Sequence, residues 1–213
     1  MEDQAGRGGG GDLIDLNAFP KWGRQRKLEA ETEIGAARQI TTVLGESFEQ
    51  VAYLGGNHEV RLARATGFIL DLMSVMRFWT SRENVVVGDY HWFQADSGGE
   101  SWYVEHQRNT SIHATLVPKK LCAKYHCHVI AGHGHVWGIT RSDCGQYWAI
   151  DSGICADVRR LDYCKKEHNT RPVMMQGAVI LRDGQPILLC PENLGICKKT
   201  RLQRWNCKRL SSG

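Results

Sequence analysis

Long apolar runs are missing from this 213-residue chain: nothing approaches the roughly 18 residues that a membrane span needs, and charges interrupt every candidate. The opening stretch, MEDQAGRGGGG, has no apolar h-region, which argues against a signal peptide. These two absences lead to the expectation of a cytoplasmic protein with no membrane partner. No segment repeats at a fixed period. Acidic residues are missing from positions 198–209, where Lys198, Lys199, Arg201, Arg204, Lys208 and Arg209 stand. Such a tail either stays in solvent or lies against nucleic-acid phosphates. With no secretory leader in view, the eight cysteines read as reduced thiols, mostly buried as small apolar side chains, and not as a disulfide framework.

What is present is ordinary for a globular domain: 42% hydrophobic and 23% charged residues, a balance that excludes a fibrous or disordered chain. The length suits one domain. The expected organisation is a flexible, glycine-rich N-terminus over residues 1–10, a domain over 11–195 and a basic tail over 196–213. Apolar periodicity predicts helices over 24–45, 60–79 and 112–125, with Gly45 ending the first and Pro118 breaking or delaying the third. Strands are expected at 51–54, 84–88, 90–95, 101–105, 128–131 and 147–151, with a turn at Ser97-Gly98-Gly99. A late hairpin joins 174–181 to 186–190 about Asp183-Gly184. Helices alternate with strands early and hairpins follow late, the pattern of a mixed α/β domain.

Four short segments set metal-competent side chains beside glycine or at a predicted strand end. They are Gly11-Asp12-Leu13-Ile14-Asp15, Gly56-Asn57-His58-Glu59, Glu105-His106-Gln107 and Gly132-His133-Gly134-His135. Glycine lets the backbone turn sharply beneath a ligand. A carboxylate can bridge two cations, an amide oxygen adds a hard ligand, and imidazoles suit zinc, iron, manganese or nickel. Two such cations can clamp a phosphoester oxygen and activate water for in-line attack.

The order GDxxD, GNHE, a lone histidine and GHxH resembles the calcineurin-like metallophosphoesterase family over residues 11–155. The resemblance implies a four-layer α/β/β/α sandwich with two mixed sheets and a metal-dependent hydrolase acting on a phosphomonoester or phosphodiester. It implies divalent cofactors, Mn2+ first, with iron, zinc or nickel as alternatives. On the matching positions, Asp12 resembles the metal-bridging aspartate, Asn57 the amide ligand, and His106 and His133 the imidazole ligands of the second ion. His135 resembles a ligand of the first ion. His58 looks like the catalytic histidine that meets the scissile phosphate and assists the leaving group. Asp15 matches a position that orients neighbours. Arg61, on the next helical turn, is a candidate for phosphate binding, with a surface salt bridge as its competitor.

The family's opening Asp-x-His motif, which carries two first-ion ligands, has no counterpart before Asp12, and no histidine precedes His58. The first strand is expected to be missing with it. Asp89-Tyr90-His91 has the spacing but reads as structural. The chain is then expected to be a fragment with its first motif upstream, a one-metal pseudoenzyme, or an enzyme completing the site with another residue. Weak or absent hydrolysis is the expectation. The alternative function is a non-catalytic metal- or nucleic-acid-binding relative. A structural zinc site built on Cys122, His126, Cys127 and His128 fits no common module. Trp137 is the candidate among the tryptophans for stacking on a substrate base. The whole reading requires Asn57, His106 and His133 to converge.

Overall fold

The computed structural model describes residues 7–9, 11–16, 30–88, 91–157 and 174–191. The basic tail, Asp89, Tyr90, the start of the first expected helix, residues 1–6, and Cys164, Cys197 and Cys207 lie outside them. The chain is mixed α/β. Strands β1 (Arg7–Gly9), β2 (Val51–Tyr53) and β3 (Val85–Val87) form a parallel sheet in that order. A five-stranded mixed sheet runs β4 (Trp92–Ser97), β5 (Glu100–Glu105), β6 (His128–Ala131), β8 (Trp148–Ser152), β7 (Trp137–Arg141). A separate hairpin joins β9 (Ala178–Arg182) to β10 (Gln185–Leu189).

Within the stretch expected to be flexible, Arg7–Gly9 form strand β1 and pair in parallel with Val51–Tyr53. Helix α1 (Ala30–Ser47) turns Ile34, Ala37, Thr41 and Leu44 to the core and runs through Gly45. Gly45 is a packing site and not the helix end, since a Cβ there would stand 2.6 Å from Arg82 Cδ. The helix is capped from outside: Asn84 Nδ2 donates to the carbonyls of Gly45 and Phe48, each at 2.8 Å.

The expected helix over 60–79 is two helices, α2 (Val60–Ala65) and α3 (Leu72–Arg77). Gly67 and Phe68 take left-handed backbones between them, and Asp71 caps α3 by accepting from Ser74 N–H at 2.7 Å. Helix α4 (Leu116–Tyr125) tolerates Pro118 because the proline sits in the first turn, where its missing N–H has no partner to lose. Both expected turns form, with positive φ at Gly98-Gly99 and at Asp183-Gly184. Strand β7 was not expected. It pairs antiparallel with β8. No helix among the described residues is long and apolar enough to cross a membrane.

Two apolar clusters result. One packs α1, α2 and α3 against β2 and β3 around Trp79, Val75 and Tyr53; the other packs α4 on β5, β6 and β8 around Cys122, Val129 and Ala149. Cys122 and Cys190 are buried, whereas Cys144 and Cys155 are exposed. Cys122 donates to Trp148 O at 3.2 Å and His128 Nδ1 accepts from Trp148 N–H at 2.8 Å, so those two side chains are engaged in structural hydrogen bonds and do not converge on an ion.

The parallel strands aim their carboxyl ends at one region, and the loops after β1, β2, β5 and β6 carry the four motif segments. Gly11 and Gly56 make the closest approach there. A Cβ on Gly56 would stand 2.1 Å from Asp12 Oδ1 and 2.3 Å from Asp12 N. Gly56→Ala is expected to cost at or above the top of the about 1–3 kcal/mol that overpacking usually costs. Gly35→Ala, on an exposed helical turn with nothing within 4 Å of the added Cβ, should gain about 0.5–1 kcal/mol. Urea unfolding of the two variants checks both signs.

Candidate metal centre

Glu59 organises the first half of the site. It is fully buried, and its two carboxylate oxygens accept from Asp12 N–H at 3.0 Å, Leu13 N–H at 2.8 Å, Gly56 N–H at 2.8 Å and Tyr53 Oη–H at 2.7 Å. Trp79 Nε1 donates in turn to Tyr53 Oη at 3.2 Å. Burial and the nearby Asp12 charge raise the Glu59 carboxyl above its ordinary value, while its donors pull it down. Within GNHE this glutamate carries no role that its type and spacing assign. A charged residue just ahead of an apolar helix was the available signal.

These contacts hold Asp12 in a left-handed backbone at φ 63°. Asp12 Oδ1 accepts from His58 N–H at 2.9 Å. Asp12 Oδ2 lies 3.2 Å from His106 Nε2 and 3.9 Å from His133 Nδ1. His106 Nε2 is also 3.2 Å from Asn57 Oδ1 and 3.1 Å from His133 Nδ1. Asp12, Asn57, His106 and His133 thus converge, and the ligand atoms of Asp12, His106 and His133 all lie within 4.8 Å of one another.

The group fits a divalent cation. Asp12 Oδ2 is buried and makes no hydrogen bond of acceptable geometry among the described residues, although imidazole nitrogens face it. Such an oxygen is costly unless a positive centre satisfies it. Ligands about 2.1 Å from an octahedral ion stand roughly 3.0 Å apart, close to the observed donor spacings. Burial raises the Asp12 carboxyl, but the contacts with His106 and His133, with the His58 charge, outweigh it and hold it well below the usual carboxylate range.

His135 stands apart from the group. Its ring centroid is 6.3 Å from that of His133, and its backbone is left-handed at φ 54°. Burial, with the positive charge of the other histidines, lowers its pKa to about 4 against the pull of Asp12. At neutral pH its ring is uncharged. The His133 loop is held by Gln107, whose Oε1 accepts from the amides of Gly132 and His133 at 3.2 and 3.4 Å. Met175 N–H donates to His135 O at 3.1 Å.

His58 Nδ1 lies 2.5 Å from Asp15 Oδ1, and His58 Nε2 lies 3.2 Å from Arg61 Nη2. A guanidinium only donates, so Nε2 accepts and the proton of the neutral ring sits on Nδ1. Arg61 also donates to the Asp15 carbonyl at 2.7 Å and to its carboxylate at 3.0 Å. Burial lowers the His58 imidazole, and Asp15 and Asp12 outweigh it to leave the ring raised. Trp137 packs over Gly177, where an added Cβ would stand 2.3 Å from Trp137 Cδ1.

No family model matches this chain, and no curated protein does. A solved structure similar to it is a hypothetical protein from Thermus thermophilus, 13% identical over 74% of this chain and 92% of that one, with a TM-score of 0.29. Fold and function therefore rest on the residues above.

Two measurements probe this geometry. Glu59→Gln keeps one acceptor oxygen and turns an amide NH2 toward buried donors, so urea unfolding should show a loss of about 3 kcal/mol or more. Asp151, at the end of β8, is buried and pushed up to about 6, with the Thr115 N–H at 2.5 Å opposing the shift. A raised carboxyl means the folded state binds more protons than the unfolded one between the model-peptide value of 3.8 and 6, so wild-type stability falls as pH rises through that window. Asp151→Asn lacks this penalty. Its stability relative to wild type should climb by about 2 kcal/mol from pH 4 to pH 6 in paired unfolding curves.

Proposed function

We propose that the chain is a metal-dependent phosphoester hydrolase of the calcineurin-like metallophosphoesterase type, acting weakly on a phosphomonoester or phosphodiester. The observation that carries this reading is the meeting at His106 Nε2 of Asp12, Asn57 and His133, all within 3.1–3.2 Å. These donors come from loops after four different strands, in the order the family uses. The same reading makes the parallel sheet β1-β2-β3 and the mixed sheet β4-β5-β6-β8-β7 the inner layers of an α/β/β/α sandwich, so one of the two sheets expected to be mixed is parallel among the described residues.

Asp12, Asn57, His106 and His133 would hold the divalent cation, with manganese first among the candidates. A cation there supplies a Lewis acid for the phosphoester oxygen and makes a nearby water more acidic. Hydrolysis adds water's oxygen to phosphorus and breaks the bond to the leaving oxygen, which gains a proton. His58, raised by Asp15 and Asp12, would give that proton from Nε2 as an imidazolium once Arg61 moves aside, while Asp15 holds the ring by Nδ1. Arg61, beside Nε2, offers a donor to a phosphate oxygen once it shifts from His58.

Weak activity follows from what surrounds His135. Among the described residues no second group of His, Cys, Asp or Glu gathers beside it. His91, of the late Asp-x-His spacing, turns its Nδ1 to Gly55 O instead. The same observation favours the alternative, a non-catalytic relative that binds one cation.

Calorimetry on the purified chain should find one Mn2+ site, lost in His133→Ala. Hydrolysis of an aryl phosphate or diester should be slow and manganese-dependent. His58→Ala should lower it by about 100-fold or more while leaving the Mn2+ site. Absence of a Mn2+ site, or hydrolysis indifferent to His133→Ala, overturns the proposal. Binding of Mn2+ with no hydrolysis selects the non-catalytic alternative.

A further inference from the structure

The site draws its donors from two separate sheets. Asp12 and Asn57 follow β1 and β2, whereas His106 and His133 follow β5 and β6. Asn57 Oδ1 and His106 Nε2 meet at 3.2 Å across that divide, so their spacing depends on how the two sheets are held together. Small drifts matter, because a metal geometry tolerates only about 0.5 Å of error.

His91 spans the divide without contributing a ligand. Its Nδ1 hydrogen-bonds to the carbonyl oxygen of Gly55, two residues ahead of Asn57. A carbonyl only accepts, so Nδ1 carries the proton. The backbone carbonyl of the same residue accepts from His106 N–H at 2.7 Å. One residue therefore grips both the loop that carries Asn57 and the amide of His106.

His106 has particular need of such an anchor. A histidine that binds a metal normally has its second ring nitrogen hydrogen-bonded to a carboxylate, a carbonyl or water, which fixes the ring. His106 Nδ1 is buried and has no partner among the described residues. On the side away from its Nε2 contacts, no hydrogen bond fixes the ring, so its placement depends also on its backbone, whose amide is held by His91. We infer that His91 is a positioning residue that sets the Asn57–His106 spacing and thereby the affinity for a divalent cation. This rests on the cation-centre reading above.

The test uses the full chain, with Mn2+ titrated calorimetrically and Co2+ followed by its visible absorption. His91→Asn keeps a donor at a similar reach, and His91→Phe keeps a ring and loses the donor. The expected result is a roughly 10- to 100-fold weaker Mn2+ affinity and an altered Co2+ spectrum for His91→Phe, with His91→Asn within about threefold of wild type. If His91→Phe does not fold, His91→Asp replaces it, being the size of Asn without the donor, with the same loss expected. Equal affinity for donor-lacking variant and wild type overturns the inference, as does a loss in His91→Asn as large as in the donor-lacking variant. A wild-type chain that takes up no Mn2+ overturns the cation centre itself, so the two failures are distinguishable.

Discussion

The site depends first on a carboxylate that does not belong to it. Glu59 gathers the amides of Asp12, Leu13 and Gly56 and the hydroxyl of Tyr53 around two oxygens, with Trp79 behind Tyr53. A buried charge is expensive when unpaired, and four donors are what make this one tolerable. They also offset the left-handed backbone of Asp12, a conformation that costs of order 1–3 kcal/mol outside glycine. That grip sets the Asp12 backbone, and the His58 amide at Oδ1 completes the aim of its carboxylate toward the imidazoles of His106 and His133.

The glycines explain why the grip can form. Gly11 and Gly56 touch backbone to backbone, closer than any side chain allows. This is also where reading the chain by composition fails. A run of glycines before Asp12 resembles a flexible leader, because no apolar pattern marks it as a strand. The parallel pairing of Arg7–Gly9 with Val51–Tyr53 needs only backbone groups, and backbone hydrogen bonds leave no trace in side-chain pattern.

Elsewhere legibility followed the same divide. The ligand-bearing tips were readable because polar residues beside glycine at strand ends are unusual, and Asn57, His106 and His133 do converge. The hairpin turns were readable because Gly98-Gly99 and Asp183-Gly184 demand positive φ. The break between α2 and α3 was obscured by apolar residues on both sides, although Gly67 and Asp71 stood there as a stop and a cap. Strand β7 was hidden because its alternation, with Gly138 and Thr140 between Trp137, Ile139 and Arg141, is short and follows a histidine loop. His91 and Gln107 were invisible as anchors, since each acts on backbone groups of a distant loop.

Asp12 links the pieces electrostatically as well as sterically. Its Oδ1 receives the His58 amide, its Oδ2 faces the imidazoles, and its backbone amide is held by Glu59. The same negative charge helps raise both His58 and Glu59 and opposes the lowering of His135. Neutralising it with a cation would therefore relax Glu59 toward ionisation, which strengthens acceptance from Asp12 and Leu13, the amides that aim Asp12. Cation affinity and loop order thus reinforce each other through one carboxylate. His135 gains nothing comparable, since its ring lies outside the group and Asp12 is the anion acting on it. The asymmetry between a well-anchored half and an isolated histidine leaves one group able to hold a cation among the described residues.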